Sequence, residues 1–271
     1  MMPIKHAAAR GDRGVRGGRN IVGHYARPMP FTLSHPAAVL PLRRLGLPMT
    51  VLVIATMVPD VPVFLGMPSA YTLTHSLIGI VTIDLVMTAA AVAWWSFVMR
   101  DALVDLAPAP VRSRLAARSG PTRRDWLLTP VAAVIGAMTH VAWDSFTHAD
   151  EWGVVRLGWL QEQHGELPGF KWAQYASGAI GLLIVAVAAL RHLRTLDPVD
   201  GHRAPRALPV ATLPCAVVLA GMVGLVSAAR HASSGLHSVA FNGAVDSVIV
   251  MGVVLVAVTV GWNAVRHTTV A

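Results

Sequence analysis

Residues 126–148 have the sequence WLLTPVAAVIGAMTHVAWDSFTH, in which an apolar run ends in three ionisable side chains. The apolar part, Trp126–Phe146, is about as long as the roughly 20 residues that an α-helix needs to span a bilayer. His140, Asp144 and His148 are spaced at i, i+4 and i+8, so a continuous helix presents them on one face. The stretch therefore predicts a membrane-spanning helix with a polar face at one end.

The whole chain has the composition of a membrane protein, because 54% of its 271 residues are hydrophobic and only 13% are charged. The apolar run Leu47–Leu65 is a weaker candidate for a span, because Pro59, Asp60 and Pro62 interrupt it. The other apolar runs that approach or exceed bilayer length are Leu77–Met99, Ala173–Leu190, Leu208–Ala229 and Gly243–Trp262. We therefore predict an all-α polytopic membrane helix bundle with five spans.

The segment before the first complete run allows two arrangements. Pro36–Arg44 and the helix that follows the turn at Gly46–Pro48 are each about 10 residues, near 15 Å long, and too short to cross a bilayer. In a hairpin of these two helices, His35 and Asp60 lie at the same height. If the interrupted run is instead a sixth span, His35 lies across the membrane from Asp60. We favour the hairpin, because the prolines of Pro59–Pro62 would break a full span near its end.

The two ends of the sequence differ in character. Residues 1–28 are basic and glycine-rich, and no apolar stretch follows their basic start, which is unlike a signal peptide. We expect this tail to be disordered, and a start of translation at Met29 is an alternative. Residues 29–271 are predicted to form a single membrane domain, in which residues 29–190 carry the polar cluster and residues 207–264 add two further spans.

The basic residues indicate topology rather than a nucleic-acid partner. The formal charge is +8, but Lys and Arg fall mostly in connecting segments and in the N-terminal tail. Counted from Met29, 13 of them lie on one side of the predicted bundle and 3 on the other. Cytoplasmic loops are enriched in Lys and Arg, so the side with 3 is predicted to be extracytoplasmic. The expected partner is the lipid bilayer of the cell membrane, and the sequence does not indicate an oligomeric state.

Polar residues at the ends of the apolar runs form a candidate site at the extracytoplasmic end. Ionisable residues at membrane depth are rare and usually face an interior or a water-filled cavity. Imidazoles and carboxylates are also the ligands of catalytic zinc. The candidate metal ligands are Asp60, His75, His140 and Asp144. They could hold one or two divalent ions, with zinc expected, and keep a position open for water.

Two further histidines, His35 and His148, are predicted to act in catalysis as additional ligands or proton carriers. The alternative for the whole cluster is polar packing in the interior without an ion. Asp84 and Asp246 lie deeper in the apolar runs. We expect them to hydrogen-bond between helices rather than to bind metal.

Several phrases of the sequence resemble a family of bacterial integral membrane proteins designated domain of unknown function 4184. The phrases are MPFTLSHP at residues 29–36, VPD at 58–60, THS at 74–76 and THVAWDSFTH at 139–148. The resemblance covers about residues 29–190 and implies membership of that family.

More distantly, the chain is similar to membrane-bound metal-dependent hydrolases, which have an early His, Pro-Asp, Thr-His-Ser and His-x-x-x-Asp in that order. The positions that match are His35, Asp60, His75, His140 and Asp144. The segment Ala70-Tyr71-Thr72-Leu73 replaces the His-Arg-Gly that usually precedes Thr-His-Ser. The order of ligands is also similar to that of zinc phospholipases C and related nucleases.

These resemblances imply a metal-dependent hydrolase that acts on a phosphoester or a lipid headgroup at the outer face of the membrane. The alternative is a non-enzymatic membrane protein, either a carrier or an assembly factor, whose polar residues line an interior cavity.

Overall fold

The computed structural model of the protein describes residues 32–115, 120–199 and 205–270, so the predicted tail at residues 1–28 lies outside the described residues. In the described part the chain is an all-α bundle, and the predicted fold class is confirmed. Its five helices long and apolar enough to cross a membrane are called the first to fifth spans. They are Ile83–Leu106, Arg123–Asp144, Gly169–Thr195, Thr212–Arg230 and Ser238–Arg266, the last within the helix Leu236–Val270.

The first span differs most from the sequence prediction. Leu77–Val81 forms a separate short helix. Thr82, with φ −120° and ψ −84°, separates this helix from the span. The span is an α-helix over Ile83–Trp94, a π-helix over Trp95–Met99 and an α-helix again over Arg100–Leu106. It extends past the predicted end because Arg100 and Asp101, at the start of its last segment, form an ion pair at 2.7 Å and apolar residues after them are buried.

The segment before the first span forms the predicted hairpin. One arm consists of the α-helix Pro36–Val39 and the 3-10 helix Leu40–Leu45, and the other arm is the α-helix Met49–Ala55. Gly46 joins them with φ of 68°, a left-handed conformation that glycine adopts at little cost. The arms of the hairpin are too short to cross a bilayer.

The two ends of the hairpin meet at one end of the bundle. The Thr32 hydroxyl donates a hydrogen bond to Oδ2 of Asp60 at 2.5 Å, although 28 residues separate them. Because this contact places the residues before and after the hairpin at the same height, the sixth-span arrangement is wrong for the described chain.

The remaining elements are short and connect these parts. The 3-10 helices are Thr32–Ser34, Val58–Asp60, Pro68–Ala70, Val154–Arg156 and Ala232–Ser234. Single α-helical turns are Val61–Phe64, Tyr71–Thr74, Ala109–Arg112 and Gly158–Gln161. Two-residue antiparallel strands, Gln163–His164 and Leu167–Pro168, precede the third span.

Two glycines let the N-terminal segment and the hairpin approach the spans closely. A Cβ atom added to Gly136 in the second span would lie 2.6 Å from Cβ of Ala55, and one added to Gly181 in the third span would lie 2.9 Å from Cβ of Ser34. Small residues permit such close helix packing within membranes. The packing holds the hairpin at a fixed height against the second span.

The opposite end of the bundle is held by a buried carboxylate, Asp105, near the end of the first span. It accepts hydrogen bonds from Arg112 at 2.7 Å, from the indole of Trp262 at 2.8 Å and from the backbone of Ala207 at 3.2 Å. Asp105 thereby ties the first span to the fifth span and to the connection before the fourth.

Candidate metal centre

The four residues that the sequence indicates as metal ligands converge on one point. One ligand atom from each of Asp60, His75, His140 and Asp144 lies within 4.8 Å of every other. His140 Nε2 is 3.2 Å from His75 Nε2, 3.2 Å from Asp144 Oδ2 and 3.5 Å from Asp60 Oδ1. His75 Nε2 is 3.5 Å from Asp144 Oδ2 and 3.8 Å from Asp60 Oδ1.

Local structure brings each ligand to this point. His140 and Asp144 occupy the last turn of the second span, one above the other. Asp60 ends the 3-10 helix that follows the hairpin, and His75 follows a single α-helical turn. The next residue, Ser76, caps the helix Leu77–Val81, because its hydroxyl accepts from the Gly79 amide at 3.0 Å.

The hydrogen bonds of the two imidazoles determine which ring nitrogen faces the site. His140 Nδ1 lies 2.7 Å from the carbonyl oxygen of Thr56, and His75 Nδ1 lies 3.0 Å from that of Tyr71. A carbonyl oxygen only accepts, so each Nδ1 carries a proton, and in the neutral ring each Nε2 presents a lone pair. Metal-binding histidines usually donate their other nitrogen in this way.

In each of the two carboxylates, one oxygen contacts a neighbouring side chain and the other faces the site. Asp60 Oδ2 accepts from Thr32, and Oδ1 faces the site. Asp144 Oδ1 faces His35 Nε2 at 3.0 Å and His148 Nδ1 at 3.4 Å. Asp144 Oδ2 is buried and has no hydrogen-bond partner in the described chain.

This arrangement fits a divalent cation. Atoms about 2.0–2.2 Å from an ion lie roughly 3.3–3.6 Å apart when they are arranged tetrahedrally, close to the separations found here. Asp60 is 3% exposed, His140 0% and Asp144 2%. Two buried carboxylates and two imidazole lone pairs at such distances repel one another unless positive charge lies among them. The cluster can therefore hold a metal ion.

The two histidines predicted to act in catalysis both contact Asp144 rather than the central point. The ring of His35 also stacks on that of His140, with centroids 4.1 Å apart. The second span ends at Asp144, before the predicted end at Phe146 and four residues before His148. The following turn nevertheless preserves helical spacing, because the amide of His148 donates to the carbonyl of Asp144 at 3.0 Å.

A polar chain continues from His148 into the third span. His148 Nε2 lies 3.2 Å from the Gln174 amide nitrogen, and the Lys171 ammonium donates to the amide oxygen of Gln174 at 2.8 Å. Lys171 is 1% exposed and has no ionic partner among the described residues, which is rare for a buried lysine. The sequence does not predict this contact, because Lys171 is one of the three basic residues on the predicted extracytoplasmic side and indicates only topology.

Tyr71 is another residue of the site that the sequence did not indicate. Its ring stacks on that of His75 with centroids 3.7 Å apart, and its buried hydroxyl has no hydrogen-bond partner among the described residues. Burial raises the pKa of the Tyr71 phenol far above its ordinary value, so the hydroxyl keeps its proton. Its position four residues before His75, one helical turn away, is the signal that could have identified it.

Asp84 does not behave as predicted. It is 0% exposed, and neither of its oxygens has a hydrogen-bond partner in the part of the chain that is described. The Thr88 hydroxyl, one turn further along the first span, is equally buried and has no hydrogen-bond partner among the described residues. The expected hydrogen bond between helices is therefore not formed at Asp84.

These features define a polytopic membrane protein with a buried Asp2His2 cluster at one end of its helices. The chain belongs to the family described as Domain of unknown function (DUF4184), whose model matches residues 29–263. The resemblance to that family is thereby confirmed and extends through the fifth span almost to its end. No curated protein and no solved structure matches the chain.

Proposed function

We propose that this protein is a metal-dependent hydrolase of the cell membrane that acts on a phosphoester, such as a lipid headgroup, at the extracytoplasmic ends of its helices. Asp60, His75, His140 and Asp144 are proposed to hold the ion. The observation that carries the proposal is the pair of Nε2 atoms 3.2 Å apart, both presenting lone pairs toward buried carboxylate oxygens.

Zinc is the ion that we propose. Two imidazoles with two carboxylates form a mixed nitrogen and oxygen donor set, which suits zinc more than magnesium or calcium. Asp60, His75, His140 and Asp144 would hold the ion, and a water molecule would be a further ligand to it. When bound, such an ion supplies a water with a pKa near neutrality and polarises a phosphoryl oxygen.

Hydrolysis requires a proton carrier beside the ligands. A bond forms between the water oxygen and phosphorus, the bond between phosphorus and the leaving alcohol breaks, and one proton passes from the water to the leaving oxygen. We assign this transfer to His148, whose side chain is 13% exposed, against 4% for His35. Burial lowers the pKa of His148 despite the opposite effect of Asp144, which favours the neutral ring that can accept a proton.

The charge distribution supports the proposed side of the membrane. The end of the bundle that carries the site has 3 basic residues after Met29, and the other end has 13. Lys and Arg accumulate on the cytoplasmic side, so the site faces outward. A substrate would then reach it from the outer leaflet or from the external solution.

Metal analysis together with a hydrolysis assay tests the proposal. Protein purified in mild detergent should contain stoichiometric zinc and should release nitrophenol from bis(4-nitrophenyl) phosphate. Asp144→Asn should abolish both, and Asp197→Asn, at an exposed position far from the site, should change neither. Purified protein that contains no transition metal and cannot be loaded with one would refute the proposal.

A carrier of metal ions is the second candidate, and Asp84 and Thr88 favour it. Their buried, unpartnered oxygens extend the polar interior from the cluster into the first span. Intramembrane carboxylates often mark ion pathways. Stoichiometric metal without hydrolysis, and metal exchange slowed by Asp84→Asn, would favour the carrier over the hydrolase.

A further inference from the structure

An apolar groove lies beside the candidate metal centre, between the N-terminal segment, the hairpin end and the third and fifth spans. Its cavity volume is about 300 Å³, comparable with the smaller pockets that bind organic ligands. The side chains that line most of it are apolar, among them Met57, Phe64, Leu182, Phe241 and Val248. No described charged residue lines it.

One end of the groove reaches the residues that support the metal ligands. Thr32 lines the groove, and its hydroxyl is the donor to Asp60 Oδ2. Val61, which follows Asp60 directly, also lines it. A molecule in the groove therefore has one end next to the candidate centre.

The groove lies beside the third and fifth spans, and several apolar side chains around it are exposed. Gly178 lines it nine residues after the start of the third span at Gly169, about 13 Å along the helix at 1.5 Å per residue. Leu33 at its rim is 55% exposed and Leu182 is 51% exposed. In a membrane these exposed apolar side chains face hydrocarbon, so the groove is accessible to the chains of neighbouring lipids.

We propose that the groove binds one acyl chain of a membrane phospholipid and thereby places the lipid's phosphoester at the metal centre. The proposal rests on the proposed hydrolase activity and specifies its substrate class as a bilayer lipid. An apolar, charge-free groove of this size in a bilayer buries a hydrocarbon chain, whereas a soluble phosphoester would leave it unused. The acyl chain lies in the groove, and its end beside Thr32 leaves the headgroup next to Asp60.

Photolabelling tests the occupant without requiring catalysis. The full chain is reconstituted in nanodiscs that contain phosphatidylglycerol with a diazirine on its acyl chain, and labelled peptides are identified by mass spectrometry. Labels should concentrate on the groove peptides around Met57, Leu182 and Phe241. Ala244→Trp fills the groove from the fifth span and should reduce this labelling several-fold, whereas Ala257→Trp, exposed on the same helix outside the groove, should not.

A second pair of variants protects the test against misfolding of the first. Leu182→Trp obstructs the groove, and Leu183→Trp places the same side chain at the next, 64% exposed position outside it. Only the first should reduce labelling. Equal labelling of both members in either well-folded pair, or labels spread evenly over all lipid-facing helices, would overturn the proposal.

Two substrates separate this inference from the proposed function. If both hold, Ala244→Trp keeps its metal and its hydrolysis of bis(4-nitrophenyl) phosphate but loses several-fold activity on phosphatidylglycerol. Groove labelling without hydrolysis of either substrate by the wild type would refute the hydrolase and leave the acyl-chain site standing. Undiminished lipid hydrolysis in Ala244→Trp would refute the acyl-chain site and leave the hydrolase standing.

Discussion

The Nε2 atoms of His75 and His140 lie 3.2 Å apart, and as neutral rings neither can donate a hydrogen bond to the other, because the carbonyls of Tyr71 and Thr56 hold the ring protons on Nδ1. Two lone pairs at this distance are unfavourable unless a cation lies near both. The two carbonyl contacts thus hold the neutral rings in the tautomer that can bind a metal ion. Several consequences of this arrangement can be measured.

Removing one ring nitrogen should release the metal. His140→Gln is expected to reduce metal affinity by more than the about 10–100-fold typical for loss of an outer partner, because Nε2 of His140 contacts all three other ligands. Inductively coupled plasma mass spectrometry of purified protein provides the measurement. His192→Gln, at an exposed position in the last turn of the third span, is the matched control. Unchanged metal content in His140→Gln would contradict the assignment.

The supporting histidine His35 should have a smaller but clear effect. Its Nε2 lies 3.0 Å from Asp144 Oδ1 and orients the carboxylate whose other oxygen faces the site. His35→Ala is expected to weaken metal binding about 10–100-fold, measured by competition with a chromogenic chelator. His35→Gln retains a donor and should recover part of the affinity. If both variants bind metal as tightly as the wild type, His35 does not support the centre.

The sequence predicts the ligands well because each is an ionisable residue at the end of an apolar run. It predicts their surroundings poorly. The partner of His140 is the backbone carbonyl of Thr56, and a backbone contact leaves no signal in the pattern of side chains. Asp60 illustrates the same limit, because the Thr32 contact depends on a hairpin that two arrangements of the sequence allowed. The interruption at Thr82 and the π-helix after Trp94 arise from packing, which composition and periodicity do not encode.

A change in packing that moves the hairpin should weaken metal binding. Gly136→Ala places a Cβ atom 2.6 Å from that of Ala55, so the hairpin must move away from the second span together with Thr56. We expect about 1–3 kcal/mol of destabilisation from this overpacking and faster metal loss, although no ligand is changed. Thermal unfolding in detergent and metal release rates measure the two effects. Gly252→Ala in the fifth span, with nothing within 4 Å of the new methyl group, is the control.

The proposed topology predicts the labelling of single cysteines in a Cys215→Ala background. A membrane-impermeant maleimide applied to intact cells should react at Glu162→Cys, before the third span, and should reach Arg123→Cys only after permeabilisation. Both positions are exposed in the structure. The reverse pattern would place the metal centre on the cytoplasmic side and would contradict the direction inferred from Lys and Arg.

Removing the metal should destabilise the wild type but not a variant that cannot bind it. A ligand that binds only the folded state stabilises it by about 2.7 kcal/mol when its free concentration is 100 times the Kd. Without the ion, Asp60 Oδ1, Asp144 Oδ2 and two imidazole lone pairs remain buried at short distances, which raises the free energy of the folded state. A chelator should therefore lower the Tm of the wild type, and added zinc should restore it.

Asp144→Asn separates this effect from any general action of the chelator. The variant loses one buried charge together with the metal, so its Tm should be insensitive to chelator and to zinc. Asp197→Asn, exposed after the third span, should respond like the wild type. Equal responses of the wild type and Asp144→Asn would show that the stabilising ion binds elsewhere. Because the ligands bind metal in their deprotonated forms, the zinc-dependent rise in Tm should also diminish as the pH falls.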